Sequence, residues 1–122
     1  SGKTGKNVHT DYGIVGPDQR RYESPFVKPA AYSATKAALI GLARWLATYW
    51  GPRGVRVNAV VFGAMSDPHH PPEFRAQMEA AIPLGRLAAP AEWDGVIQFL
   101  VSNASSYMTG SVLTVDGGYT AW

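Results

Sequence analysis

Cysteine is absent from the 122 residues, which excludes disulfides, thiolate catalysis and cysteine-ligated metals. It is also the usage expected of a cytoplasmic protein. Charge is sparse: Asp, Glu, Lys and Arg make up 16% of the chain, and the net charge is +2. The basic residues, among them Lys3, Lys6, Arg20, Arg21, Arg53 and Arg56, are scattered and form no long run. Nucleic acid is therefore not an expected partner. No apolar stretch approaches the roughly 20 residues of a membrane span. No charged segment followed by an apolar one opens the sequence, so a secretory leader is not expected either. Internal repeats are lacking. The adjacent His69 and His70 follow Asp67, but neighbouring side chains point apart and prolines flank both, so no metal site is expected there.

What is present is a globular balance, with 46% apolar residues in a length suited to one small domain. Residues 1–7 are polar and Gly-rich. Residues 8–31 carry Gly13, Gly16, Pro17, Pro25 and Pro29, which predicts a short extended piece near Val8 and then a long irregular loop. Ala37, Ala38, Leu39, Leu42, Ala43, Leu46, Ala47 and Trp50 recur at helical spacing and predict a helix over 32–50, ended by Gly51 and Pro52. The β-branched run 55–61 predicts a buried strand. Helices are expected over 73–81 and from Pro90 to about Val101, and a last strand over 111–115. Trp45, Tyr49, Trp50 and Trp93, at helical spacing, are expected in the core or in a subunit contact. Strands alternating with helices imply parallel βαβ units. About three strands with flanking helices are few for such a sheet, which normally continues on both sides.

Tyr32 and Lys36 stand out within this frame. Four residues apart, they share one face at the head of the first helix. A nearby ammonium favours the phenolate and lowers a phenol pKa from its usual value of about 10. The helix N-terminus acts in the same direction. Such a phenol serves as a general acid or base nearer neutral pH. The same spacing also occurs where a half-buried Tyr merely lies beside a solvated Lys.

Four stretches in order give the pair its setting: Tyr32-Ser-Ala-Thr-Lys36; Gly54-Val-Arg-Val-Asn58 followed by Phe62-Gly63; Ile82-Pro-Leu-Gly-Arg86 before Pro90-Ala-Glu92; and Ser105-Ser-Tyr-Met-Thr-Gly110 running to Val115-Asp-Gly-Gly118. Together, over about residues 8–122, they resemble the C-terminal half of the short-chain dehydrogenase/reductase family. The resemblance implies an α/β fold, a partial Rossmann-like doubly wound parallel sheet, with residues 1–122 as one half-domain. It implies hydride transfer between NAD or NADP and an alcohol or carbonyl carbon. Tyr32 is then the general acid/base, and Lys36 lowers its pKa and holds the nicotinamide ribose. Thr10 falls where the family has a substrate-orienting Ser, and a Thr hydroxyl keeps the needed donor and acceptor. A loop hydroxyl without a role is the alternative.

Departures from the family pattern are informative. His9 beside Thr10 is unusual and is a candidate substrate contact. The stretch from Gly13 to Tyr32 is longer than usual, and Pro17 to Glu23 forms most of the excess. Its Arg20 and Arg21 suit an anionic or sugar-like substrate, or form a solvated surface loop. Phe62 replaces the usual Pro before Gly63. Phe62, Gly63, Met65 and Ser66 occupy the stretch that meets the nicotinamide. The family's Gly-rich pyrophosphate turn has no counterpart, since Gly2-Lys3-Thr4-Gly5-Lys6 follows no strand pattern. The N-terminal dinucleotide-binding half is therefore expected to be absent from this sequence. Two expectations follow: an oxidoreductase site that needs a complementary half, or an inactive half-domain serving assembly or binding. A homo-oligomer is expected in either case.

Overall fold

The computed structural model describes residues 13–22 and 25–122. The extended piece expected near Val8 lies outside the described residues. A 3-10 turn at Gln19–Arg21 is capped by the Asp18 carboxylate, which accepts from the Arg20 N–H. There follow α1 (Ala30–Trp50), β1 (Ala59–Phe62), α2 (Pro72–Ala81), α3 (Ala91–Val101) and β2 (Val112–Val115).

β1 and β2 pair in parallel, with Ala59 opposite Val112 and Phe62 opposite Val115. Parallel neighbours require a crossover, and α2 and α3 supply it. This bears out the α/β reading, with two strands among the described residues. Val61 sits at the sheet centre and is only 1% exposed. Beyond β1, Met65 bridges Ala88, and the Ser66 N–H donates to the Ala88 carbonyl at 2.8 Å. Ala64, Met78, Ile82 and Leu87 form the core cluster, with Phe74 and Tyr119 packed on it. Met78 and Ile82, four apart, meet the core from one side of α2 and its C-cap.

Three sequence expectations need correction. First, α1 begins at Ala30, two residues before Tyr32, while its end at Trp50 with Gly51 as C-cap is as expected. A 3-10 turn over Gly51–Arg53 follows and ends at Gly54, whose φ of 77° lies in the left-handed region. Second, residues 55–58 do not join the ladder. Their polar groups are satisfied across the chain instead: the Val57 N–H donates to Thr109 Oγ1, and the Val57 carbonyl accepts from the Gly110 N–H at 2.7 Å. Phe62 is the last residue of the strand. Third, of the two places expected for the aromatics, the core or a subunit contact, Trp45 and Tyr49 of α1 are not in the core. Trp45 is 58% exposed and Tyr49 49%, and their rings stack on each other 5.0 Å apart. The residues of α1 that are buried are Ala43 and Ala47.

Side-chain locks join the elements. Asn58 donates to the Met108 carbonyl and accepts from the Ser111 N–H, which fixes the approach to β2. Arg56 donates to the Leu100, Met108 and Ser102 carbonyls and so caps the end of α3. Ser105, buried, donates to Phe99 and Leu100 there as well. The Arg86 guanidinium meets the Glu92 carboxylate at 2.6 and 2.7 Å, and Glu92 also accepts from the Ala89 N–H. Burial raises the Asp116 carboxyl, but bonds from Thr120 and the Gly118 N–H outweigh this and hold it below its usual range.

Two glycines predict opposite responses to a methyl group. At Gly63 a Cβ would stand 2.7 Å from the Asp116 Cα, where two backbones cross. Gly63→Ala is expected to destabilise the fold by about 1–3 kcal/mol. At Gly95, inside α3, a Cβ meets nothing within 4 Å. Gly95→Ala is expected to stabilise by about 0.5–1 kcal/mol. Urea unfolding of both variants checks the pair.

The Arg86 contact, with the Ala89 N–H, pulls the Glu92 carboxyl from about 4.5 to about 2. A depressed carboxyl stabilises the fold above its unfolded pKa, so this contribution is full above about pH 4.5 and is lost as pH falls toward 2. Both groups are exposed, so the effect on stability is small. A carbon-detected NMR titration is expected to place Glu92 near 2 and to return it toward its ordinary value in Arg86→Ala.

Candidate functional site

Tyr32 lies in the first turn of α1, its N–H donating to the carbonyl of the N-cap Pro29 at 3.0 Å. No acidic side chain occupies that turn. The positive end of a 21-residue helix therefore acts on Tyr32 without a local carboxylate from the helix to offset it. The Lys36 ammonium stands 5.3 Å from the centre of the Tyr32 ring, one turn further on. The i, i+4 geometry read from the sequence is present in the fold.

A second ammonium, not singled out in the sequence, is nearer. Lys28 Nζ lies 4.1 Å from the Tyr32 ring centre, and 5.9 Å from that of Tyr22. Burial, then repulsion from Lys36, pushes Lys28 below its ordinary value. Its backbone is held at two points by one side chain: the Lys28 N–H donates to Gln19 Oε1 at 2.9 Å, and Gln19 Nε2 donates to the Lys28 carbonyl at 3.1 Å. Gln19 belongs to the long loop before α1.

The loop also touches α1 directly. A Cβ on Gly13 would stand 2.9 Å from the Lys36 carbonyl carbon, so the chain at Gly13 lies on the helix backbone beside the Tyr32–Lys36 pair. Thr10 and His9 precede this contact and lie outside the described residues. Arg20 is exposed, and its guanidinium forks onto Asp18 at 2.8 and 2.9 Å. Arg21 reaches across to the Met78 sulfur and lies 5.5 Å from the centre of the Tyr119 ring, so it ties the loop to α2 and the C-terminal turn. With Tyr22, His70, Phe74 and Gln77 it lines a groove of about 420 Å³. His70 Nδ1, at its edge, is buried without a hydrogen-bond partner.

The stretch after β1 has its own tasks. The Phe62 ring stacks on Trp93 of α3 at 4.4 Å, and Gly63 is pressed against Asp116. Met65 and Ser66 are pinned as an extended segment by Ala88. Asp67 accepts from the His69 N–H and faces the His69 ring at 2.9 Å, a local turn. Among the described residues no three His, Asp or Glu side chains are grouped to hold a metal ion.

Known proteins place this arrangement. A family model described as enoyl-(acyl carrier protein) reductase matches residues 20–120. The cis-4-hydroxycyclohexanecarboxylate dehydrogenase of Sinomonas cyclohexanicum is 45% identical over 118 residues. The chain belongs to the short-chain dehydrogenase/reductase family. The alignment with the Sinomonas enzyme takes in 94% of this chain and 44% of that protein. The galactitol 2-dehydrogenase (L-tagatose-forming) of Cereibacter sphaeroides is 40% identical, over 76% of this chain and 39% of that enzyme. A short chain dehydrogenase of Leptospira borgpetersenii serovar Hardjo-bovis, solved with bound NAD+, superposes with a TM-score of 0.82 at 35% identity. That superposition covers 90% of this chain and 41% of the solved one. The chain thus spans less than half the length of these family members. Its two-stranded parallel sheet and flanking helices share their Rossmann architecture.

Proposed function

We propose that this chain supplies the catalytic half of an oxidoreductase site that moves a hydride between a nicotinamide cofactor and an alcohol or carbonyl carbon. The observation carrying this reading is the Lys36 ammonium 5.3 Å from the Tyr32 ring in the first turn of α1. Residues 1–122 correspond in this reading to the C-terminal half of one Rossmann-type domain. In oxidation, the Tyr32 phenolate takes the substrate hydroxyl proton while the carbinol C–H bond breaks. In reduction, the phenol returns that proton to the forming alkoxide. Lys36 favours the phenolate and so keeps the proton mobile near neutral pH. Thr10 orients the substrate oxygen.

The chemistry of the donor set fits NAD or NADP at its nicotinamide end. Lys36 and Tyr32 together present donors suited to ribose hydroxyls, and the pinned Phe62–Ser66 stretch is assigned the carboxamide side. When bound, the dinucleotide supplies the hydride acceptor or donor. The substrate is a small alcohol or carbonyl compound, in keeping with the cyclic hydroxyacid and the polyol named for two relatives. His9, Arg20 and Arg21 remain the candidate contacts for a sugar-like or anionic group, and Asp18 engages both arginines in this structure. We assign the protein to the cytoplasm. No helix among the described residues is long and apolar enough to cross a membrane.

The exposed Leu39, Leu42, Trp45 and Tyr49 of α1 favour a second element of the reading, a homo-oligomer that covers this face. They also support the alternative of an inactive half-domain kept for assembly. Turnover of secondary alcohols with NAD or NADP separates the two. Tyr32→Phe is expected to lower kcat at least about 100-fold. Unchanged turnover in Tyr32→Phe removes Tyr32 from this role. An unsubstituted protein that binds partners yet shows no turnover favours the assembly reading.

A further inference from the structure

The loop before α1 is longer than the family pattern, and the structure shows what it holds. Gln19 stands in its 3-10 turn and clamps the Lys28 backbone through both amide atoms. A side-chain amide bonded this way imitates one rung of a β-ladder, so it fixes the backbone direction at Lys28 as well as its position. The turn itself is tied down, by Asp18 at its N-cap and by Arg21 to Met78 and Tyr119. Pro29 follows Lys28 and limits the residue before it to extended backbone. The Lys28 side chain is therefore delivered from a braced segment to the face of the Tyr32 ring at 4.1 Å. Tyr22, from the same turn, lies beyond the ammonium.

We propose that Lys28 is a positioning residue, a second cation seated by the Gln19 clamp at the Tyr32 phenol, which favours the phenolate together with Lys36. The proposal rests on the assignment of Tyr32 as acid/base. Its physical basis is the ring charge. A cation over an aromatic face is attracted by the ring, and more strongly when the ring carries the phenolate charge. Among the described residues, charged and titratable groups gathered at Lys28 include Tyr22 from the turn and Tyr32 and Lys36 from α1. Burial and the Lys36 charge both disfavour the Lys28 ammonium, so ionisation of Tyr32 relieves the unfavourable pairing of two like charges. The long loop is then a device for tuning the acid/base, and not only a substrate contact or a surface insert.

The test uses the full chain labelled with 13Cζ-tyrosine, with the Tyr32 resonance assigned by its loss in Tyr32→Phe. The Tyr32 ionisation midpoint is compared among variants. Lys28→Met is expected to raise it by about one pH unit, and Lys28→Arg to keep it within a few tenths of the unsubstituted value. Gln19→Ala is expected to raise it by a smaller amount, since Lys28 stays charged but loses its seat. In the pH profile of kcat/KM, the same displacement is expected in the limb assigned to Tyr32. An unmoved midpoint in Lys28→Met, with a raised one in Lys36→Met, overturns the role of Lys28 and leaves the Tyr32–Lys36 assignment standing. A midpoint unmoved by either substitution overturns both.

Discussion

Two ammonium groups within 4.1 and 5.3 Å of one phenol ring centre are an arrangement that a protein must enforce, because the cations repel each other. The enforcement here is mechanical. Lys36 is rooted in a 21-residue helix, which fixes its backbone. Lys28 is held by the Gln19 amide and aimed by Pro29. Gly13 itself lies on the Lys36 backbone at a distance no side chain would permit. Each device acts on the backbone, so the charges are fixed by geometry and not by mutual attraction. In the proposed role the phenol is the group that benefits, since its ionised form relieves the repulsion.

The rest of the fold holds α1 in register with the sheet. Asn58 links the chain entering β1 to the chain entering β2, and Arg56 closes the end of α3. The crossing of Gly63 and Asp116 brings the ends of both strands together. Most of the stretches that carry the family resemblance turn out to be these locks. Asn58, Arg86 with Glu92, Ser105, and Asp116 with its glycines bond to backbone or to each other. Their presence accounts for the shared fold, and the head of α1 is where the proposed chemistry is assigned.

Legibility in the sequence follows the same division. Local pattern located α2, opened by Pro72, and α3, where Val96 and Leu100 recur at helical spacing, closely. It placed the parallel strands, but extended β1 too far, because Val55–Asn58 look β-forming while their partners are the Thr109 side chain and loop backbone. The exposed Trp45 and Tyr49 could not be separated from core aromatics by spacing alone. At the site, Tyr32 and Lys36 were legible since one helix carries both. Lys28 was not singled out. Its contact depends on a clamp from Gln19, nine residues earlier across an irregular loop, and no periodic pattern encodes such a bond. Thr10 and His9 lie outside the described residues and keep the standing that the sequence alone gives them.

The central claim is that the fold itself, before any substrate arrives, holds the Tyr32 phenol ready to ionise. The most direct measurement is the ionisation midpoint of Tyr32 in the unsubstituted protein, read from its 13Cζ shift against pH at low salt. The account expects a midpoint at least one unit below the ordinary phenol value of about 10. A midpoint at or above 10 would contradict it, and the paired cations would then be a structural feature without bearing on proton transfer.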